Sequence, residues 1–260
     1  MSVINVIEDT FFANGRYWGG LNSSLYNSGS IWTMKTGIAS ADLNWAWNEK
    51  PLIPDDRKTI QDIKKDFQQN ALPFWWWTFP GAQSEASTDM LKAEGFSFVD
   101  HIPCMLADLS FLPDEESGNA AINISLVKNK EELALWKEVS FAGFDFLPPT
   151  IDQYDRFTGT FNLHSDSPQK LFLAFVNGKP VATSLLFLAD HAAGIYFVTT
   201  LAEFRKKGIG LQLMQATMRY AKMAGARFAT LQSSPDGFRV YEQAGFKESC
   251  RAAVYSLNAA

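Results

Sequence analysis

The feature that most constrains the fold of this chain is an echo of itself. "LKAEGFSFVDHIPCMLADL" at 91–109 parallels "YEQAGFKESCRAAVYSL" at 241–257, with the pairs Gly95-Phe96 and Gly245-Phe246 aligned at an offset of 150. Each copy reads as the end of a short helix, a glycine that stops it, and a strand. Before the first copy, "RKTIQDIKKDFQQNA" sets Ile60, Ile63 and Phe67 at helix steps, while "DLNWAWN" and "LPFWWWTF" read as strands. Alternation along the latter sends Trp75 and Trp77 to one face and Trp76 to the other. Before the second copy, Leu213, Ala216, Tyr220 and Met223 recur at steps of three and four, as one buried helix face would. "ARFATLQSS" then reads as a strand, and "PDGFRVYEQAGF" as a short helix that Asp236 can cap. The chain therefore reads as two copies of one α+β unit, a first domain over 1–112 and a second over 121–260. Its 260 residues suit two domains, and a hydrophobic content of 47% gives each half a core.

Between the copies, "LPDEESGNAAINIS" is polar and acidic, and residues 113–120 read as a linker. "INISLV" then alternates as a strand. In "NKEELALWKEVSFAGF", Asn129 can cap a helix whose Leu133, Trp136 and Val139 face a core. "LPPT" ends that helix, and a second helical stretch covers 151–157. Three strands follow, "KLFLAFV", "PVATSLLFL" and "GIYFVTT", the first two joined by the hairpin turn "NGKP". A last strand pair is expected to close the chain.

A net charge of -5 argues against nucleic acid as a partner, because phosphate binding needs basic surface. The start of the chain has no basic leader, and no run approaches the ~18–20 apolar residues of a membrane span, so no membrane partner is expected. Cys104 and Cys250 lack metal-ligand spacing and read as reduced thiols of a cytoplasmic protein. His101, His164 and His191 form no cluster, so no metal is expected.

Against that acidic background, Arg205, Lys206 and Lys207 gather beside Gly208 and Gly210 in "TTLAEFRKKGIG". A strand that ends in a glycine-bearing turn and opens a helix makes an anion cradle. The first helical N–H groups have no partner in the helix, and its dipole adds partial positive charge there. Glycines let backbone approach an anion closely. The arrangement suits a pyrophosphate. It is neither a dinucleotide loop nor a kinase-type loop, because a third glycine and a GK[ST] are both missing.

Tyr241 follows in "VYEQAGF". The order strand, Arg-x-x-Gly-x-Gly, helix, strand, tyrosine-bearing helix, Gly-Phe, strand resembles the GCN5-related N-acetyltransferase (GNAT) superfamily over about residues 122–258. The resemblance implies a tandem GNAT-like fold, with a mostly antiparallel mixed sheet flanked by helices in each half. It implies acetyl-CoA as co-substrate, its pantetheine arm along Val198, Thr199 and Thr200. It places the diphosphate on Arg205, Lys206, Lys207, Gly208, Ile209 and Gly210. Tyr241 matches the tyrosine that protonates the leaving thiolate, a phenol of pKa ~10 against a thiol of ~8.5. Ser234 stands where many members carry an asparagine ligand. Glu203, Glu242, Asp190 and His191 are the candidate bases by proximity in sequence. The phenylalanines of "FAGFDFLPP" at 141–149 lie where the family meets its acceptor and suggest an apolar part on it.

The first half lacks the loop. No glycine lies between Gly37 and Gly81, Pro54 with Asp55 or Asp56 starts a helix instead, and Leu91 takes the place of Tyr241. That half reads as a degenerate copy. The expected function is acetyl transfer from acetyl-CoA to an amine of a small molecule or peptide, by direct attack in a ternary complex. The expected assembly is a monomer built as a pseudo-dimer of its halves, or a homodimer. An acyl-CoA sensor without turnover, and transfer of another acyl group, remain the alternatives.

Overall fold

The computed structural model describes residues 2–113 and 118–257; positions 114–117 of the expected linker lie outside the described residues. The chain falls into two compact units. One holds residues 1–104, 152–160 and 249–260, and the other holds 105–151 and 161–248. We keep 1–112, 113–120 and 121–260 as the proposed domain boundaries in sequence.

The first unit opens with helix α1 (Val3–Leu21), which periodicity reasoning did not anticipate. Ser2 caps it, its hydroxyl accepting from the Ile4 amide. Strands β1 (Tyr26–Ser28), β2 (Ile31–Lys35) and β3 (Asn44–Asn48) follow, then α2 (Arg57–Gln69), β4 (Trp75–Thr78), α3 (Glu85–Ala93) and β5 (Phe96–Asp108). The second half continues with β6 (Ile122–Leu126), α4 (Lys130–Gly143), α5 (Ile151–Thr158), β7 (Gln169–Val176), β8 (Lys179–Ala189) and β9 (Ala192–Thr200). It ends with α6 (Ile209–Met223), β10 (Phe228–Gln232), α7 (Phe238–Gln243) and β11 (Lys247–Leu257). Strands run in the order β1-β2-β3-β4-β11-β5 in the first unit and β10-β9-β8-β7-β6 in the second. The pairs β3–β4 and β9–β10 are parallel, whereas β1–β2, β2–β3, β4–β11, β6–β7, β7–β8 and β8–β9 are antiparallel. This is the tandem GNAT-like α+β fold.

Local chemistry explains most of these elements. The Asn129 side chain accepts from the Glu132 amide and starts α4, whose Leu133, Trp136 and Val139 are buried. Asn177 and Gly178 both have positive φ, the type I′ turn that matches the twist of the β7–β8 hairpin. Gly95 and Gly245 sit at φ +89° and +102°, ending α3 and α7, and the following Phe96 and Phe246 are both buried. In the first unit, Ile60, Ile63 and Phe67 of α2 pack with Trp76, Phe96 and Leu91, while Trp77 lies on the other face against Phe11 and Phe79.

Three expectations need correction. The buried stripe of α6 is Ile209, Leu213, Met214, Thr217, Met218 and Ala221, not one that runs through Met223, which is 87% exposed. The stripe turned because Thr217 is an inward residue: its hydroxyl meets Ser184 at 2.7 Å under the helix. Asp236 does not cap α7; the Ser234 hydroxyl accepts from the Gly237 amide instead. The expected final strand pair is one eleven-residue strand, β11, without a turn. No helix of the described residues is long and apolar enough to cross a membrane, and none of their His, Cys, Asp and Glu side chains gather in threes.

Phe67 is fully buried, with its ring 3.9 Å from Phe74. Phe67→Ala should lower the stability of the first unit by about 3–5 kcal/mol, read as an earlier transition in urea unfolding.

Candidate functional site

β9 is the strand on which the site is built. On its β8 side the ladder runs from Ala189↔Ala192 to Ala182↔Thr200, with an irregularity between Thr183 and Leu185. Opposite that irregularity Phe197 adopts φ +49°, and the Thr183 hydroxyl donates to its carbonyl at 2.9 Å. This is a β-bulge, which bends the strand. On the other side, β10 pairs only at Phe228↔Ala192, Ala229↔Ala193 and Thr230↔Gly194. From Ile195 to Thr200 the described ladder has no strand on that side. The backbone of Val198, Thr199 and Thr200 therefore fronts an opening where an extended amide-bearing chain can add as a strand would.

The chain then enters the basic loop. Lys206 has φ +62° and Gly208 has φ +79°, and Gly208 is the N-cap of α6. The first bond of the helix, from the Gln212 amide to the Gly208 carbonyl, leaves Ile209, Gly210 and Leu211 without acceptors in the helix. A Cβ added at Gly208 would meet nothing within 4 Å, and one at Gly210 would lie 3.6 Å from Thr200 Oγ1 and 3.8 Å from Val240 Cγ1. No neighbour demands glycine at either position. Gly208 is needed for its φ, and Gly210 leaves the first turn without a side chain between Thr200 and Val240.

The cations serve the loop itself. Arg205 Nε donates to the Thr200 carbonyl at 2.9 Å, and its Nη2 donates to the Gly143 carbonyl at 3.3 Å. The Thr199 hydroxyl donates to the same Gly143 carbonyl at 2.8 Å, which ties the end of α4 to β9. Lys207 Nζ donates to the Glu203 carbonyl and lies over the Phe204 ring. Lys206 is exposed. Sequence reasoning missed Gly143 and Phe197. A Cβ on Gly143 would come within 2.5 Å of Thr199 Oγ1, a demand visible only once the two segments meet.

Tyr241 on α7 is buried, and its ring lies against Gly237, where an added Cβ would come within 2.6 Å of Cε2. Its hydroxyl has no hydrogen-bond partner among the described residues. Burial pushes the phenol up to about 12. Ser234 is exposed, and its hydroxyl is occupied with the Gly237 amide.

Residues 133–246 match the acetyltransferase (GNAT) family. By that match this stretch is a GNAT-family domain. Among curated proteins no relative matches. Solved structures extend the likeness to both halves. A GCN5-related N-acetyltransferase from Kribbella flavida is similar at TM-score 0.73 and 18% identity, with 96% of each chain covered. One from Sphaerobacter thermophilus gives 0.64 and 16%, covering 87% of this chain and 76% of that one. A tandem GNAT protein from the clavulanic acid biosynthesis pathway gives 0.57 and 12%, covering 87% and 81%. At these identities the likeness is one of fold.

Within the GNAT domain the four candidate bases do not gather. Glu203 is exposed and pairs with Lys179 at 3.3 Å; its carboxyl is held down first by its own backbone amide and then by Lys179 and Lys207, so it is a poor base. Asp190 and His191 sit in the turn that begins β9, about 30 Å along the strand from Thr200. Glu242 is exposed on α7.

The first half closes what the GNAT domain opens. β3 pairs with β4 from Trp45↔Trp75 to Asn48↔Thr78, the last residue of β3. The zipped pair is packed by Trp45, Trp76 and Trp77, with Trp76 Nε1 donating to Asn48 Oδ1 at 2.9 Å. After β3 comes a proline-bearing turn, in which Asp56 accepts from the Ile53 amide. Leu91, in the place of Tyr241, is fully buried.

Gly210→Asp and Gly208→Val separate loop chemistry from folding. Asp at the start of a helix is electrostatically favourable, and its Cβ fits, so Gly210→Asp should keep the parent's melting temperature within about 2 °C. It should weaken acetyl-CoA at least about tenfold in calorimetric titration, because its carboxylate repels a diphosphate. Gly208→Val should both weaken binding and cost about 1–3 kcal/mol, since a β-branched residue must adopt φ +79°.

Proposed function

We propose that the second half transfers an acetyl group from acetyl-CoA to an amine on a small molecule or peptide, by direct attack in a ternary complex. The observation that carries this is the parting of β9 from β10 after Gly194, leading straight into the Gly208-capped helix. In this reading the backbone of Val198, Thr199 and Thr200 holds the pantetheine arm. The amides of Ile209, Gly210 and Leu211 take the diphosphate, and Arg205 and Lys207 set the loop that presents them. Lys206 adds charge from the rim, and Ser234 shapes the turn before α7. Acetyl-CoA supplies the activated acyl group. The first half, with its zipped strands and proline turn, does not bind CoA. The phenylalanines around 141–147 face an acceptor with an apolar part.

Tyr241 is the proposed donor to the departing sulfur. A phenol near 12 is about 3.5 units weaker as an acid than a thiol near 8.5, so full transfer of its proton is uphill by about 5 kcal/mol. Its contribution is then a hydrogen bond that strengthens as charge grows on the sulfur. None of the four candidates, Glu203, Glu242, Asp190 and His191, stands ready as a base in this reading. In this reading the acceptor loses its ammonium proton to water, and the rate should rise with pH toward the amine's own pKa.

Amine acceptors would be screened with release of CoA as the readout. Tyr241→Phe should lower kcat by at least about tenfold with acetyl-CoA affinity little changed. The parent's kcat should show no falling limb from Tyr241 below about pH 11, because a raised phenol keeps its proton as pH climbs past 10. Tight acetyl-CoA binding with no Tyr241-dependent turnover on any amine would favour the sensor reading. Turnover only with a longer acyl-CoA would move the substrate to another acyl group.

A further inference from the structure

The chain has two cysteines, far apart in sequence, and the fold of the first unit brings them together. Cys104 lies on β5 and Cys250 on β11, neighbouring strands of that unit. No disulfide joins them, and the two thiols are hydrogen-bonded to each other. Cys104 is fully buried, and its Sγ also approaches the Ile102 carbonyl at 3.6 Å. Cys250 is partly open to solvent. A buried thiol touching a reachable one is the arrangement of a resolving and a receiving sulfur. Nothing in the acyl-transfer reading uses either residue.

We infer that Cys104 and Cys250 form a two-thiol modification site that takes a small-molecule disulfide at Cys250 and resolves it as a bond between β5 and β11. The chemistry balances as two exchanges. The Cys250 thiolate attacks one sulfur of the reagent, forming the mixed disulfide and releasing one small thiolate. Cys104, once it has given its proton to water, attacks the Cys250 sulfur and expels the second small thiolate. The reagent is reduced by two electrons, and the protein loses two hydrogens. The order of events follows from the surroundings of Cys104. Its thiol is held well above the ordinary range by the bond to Cys250, by burial and by the carboxylate of Glu8 on α1, so it is the slower nucleophile. The product pins the C-terminal strand of the chain to β5.

The test exposes the folded full-length protein to oxidised glutathione and follows intact mass and peptide maps without reductant. The parent should pass through a single glutathione adduct on Cys250 and lose it, ending two hydrogens lighter with the peptides of Cys104 and Cys250 joined. Its melting temperature should rise by several degrees. Cys104→Ala should stop at the adduct, with a lifetime at least about tenfold longer than in the parent. Cys250→Ser should leave Cys104 unmodified. An adduct as long-lived in the parent as in Cys104→Ala, or no adduct on the folded parent, overturns the proposal. None of these outcomes depends on acyl transfer.

Discussion

The second half is arranged around one departure from regular pairing. β9 keeps β8 along its length but leaves β10 after Gly194. A bare strand edge inside a sheet is costly, because its amides and carbonyls have nothing to bond. The bulge at Phe197 bends β9 away, and the Thr183 hydroxyl holds that bend by binding the Phe197 carbonyl. Gly143 then secures the far end of the strand, where Thr199 and Arg205 both donate to its carbonyl. The opening is therefore built into the packing. The same strand delivers the chain to a left-handed glycine and a helix whose first amides face outward. One distortion thus presents two complementary surfaces, a strand edge for an amide-bearing arm and a helix start for an anion.

The first half shows the same unit with that distortion removed. β3 and β4 pair to the end of β3, indole rings pack the pair, and prolines take the place of the glycine turn. Trp76 and Trp77 are core in that setting, on opposite faces, while Trp75 is half-buried. The two halves differ by whether one strand pair is zipped, and that difference separates a unit with a cradle from one without.

Much of this was legible in the sequence because it is local. The Gly-Phe pairs marked two helix ends and two buried phenylalanines, Asn129 marked a cap, and Asn177-Gly178 marked a hairpin. The Arg-x-x-Gly-x-Gly loop and Tyr241 landed on the elements expected of them. What was hidden depends on partners far along the chain. The bulge at Phe197 exists only relative to Thr183, and the need for glycine at 143 only relative to Thr199. Periodicity misplaced the buried stripe of α6 because Thr217 counts as polar until Ser184 lies beneath it. Sequence shows the charge of Arg205 and Lys207 but not the backbone carbonyls they hold. Helix α1 escaped notice because Thr10, Asn14, Gly15 and Gly19, which fill out its buried face, do not count as apolar.

The central claim is that acetyl-CoA lies between β9 and β10 with its diphosphate on the start of α6. Amide hydrogen exchange, with and without acetyl-CoA, tests it most directly. The account predicts slower exchange in peptides covering 195–200 and 206–212, with no change across β3 and the turn at 49–56. Protection that appears in the first half, or acetyl-CoA binding that leaves both second-half segments unchanged, would contradict it.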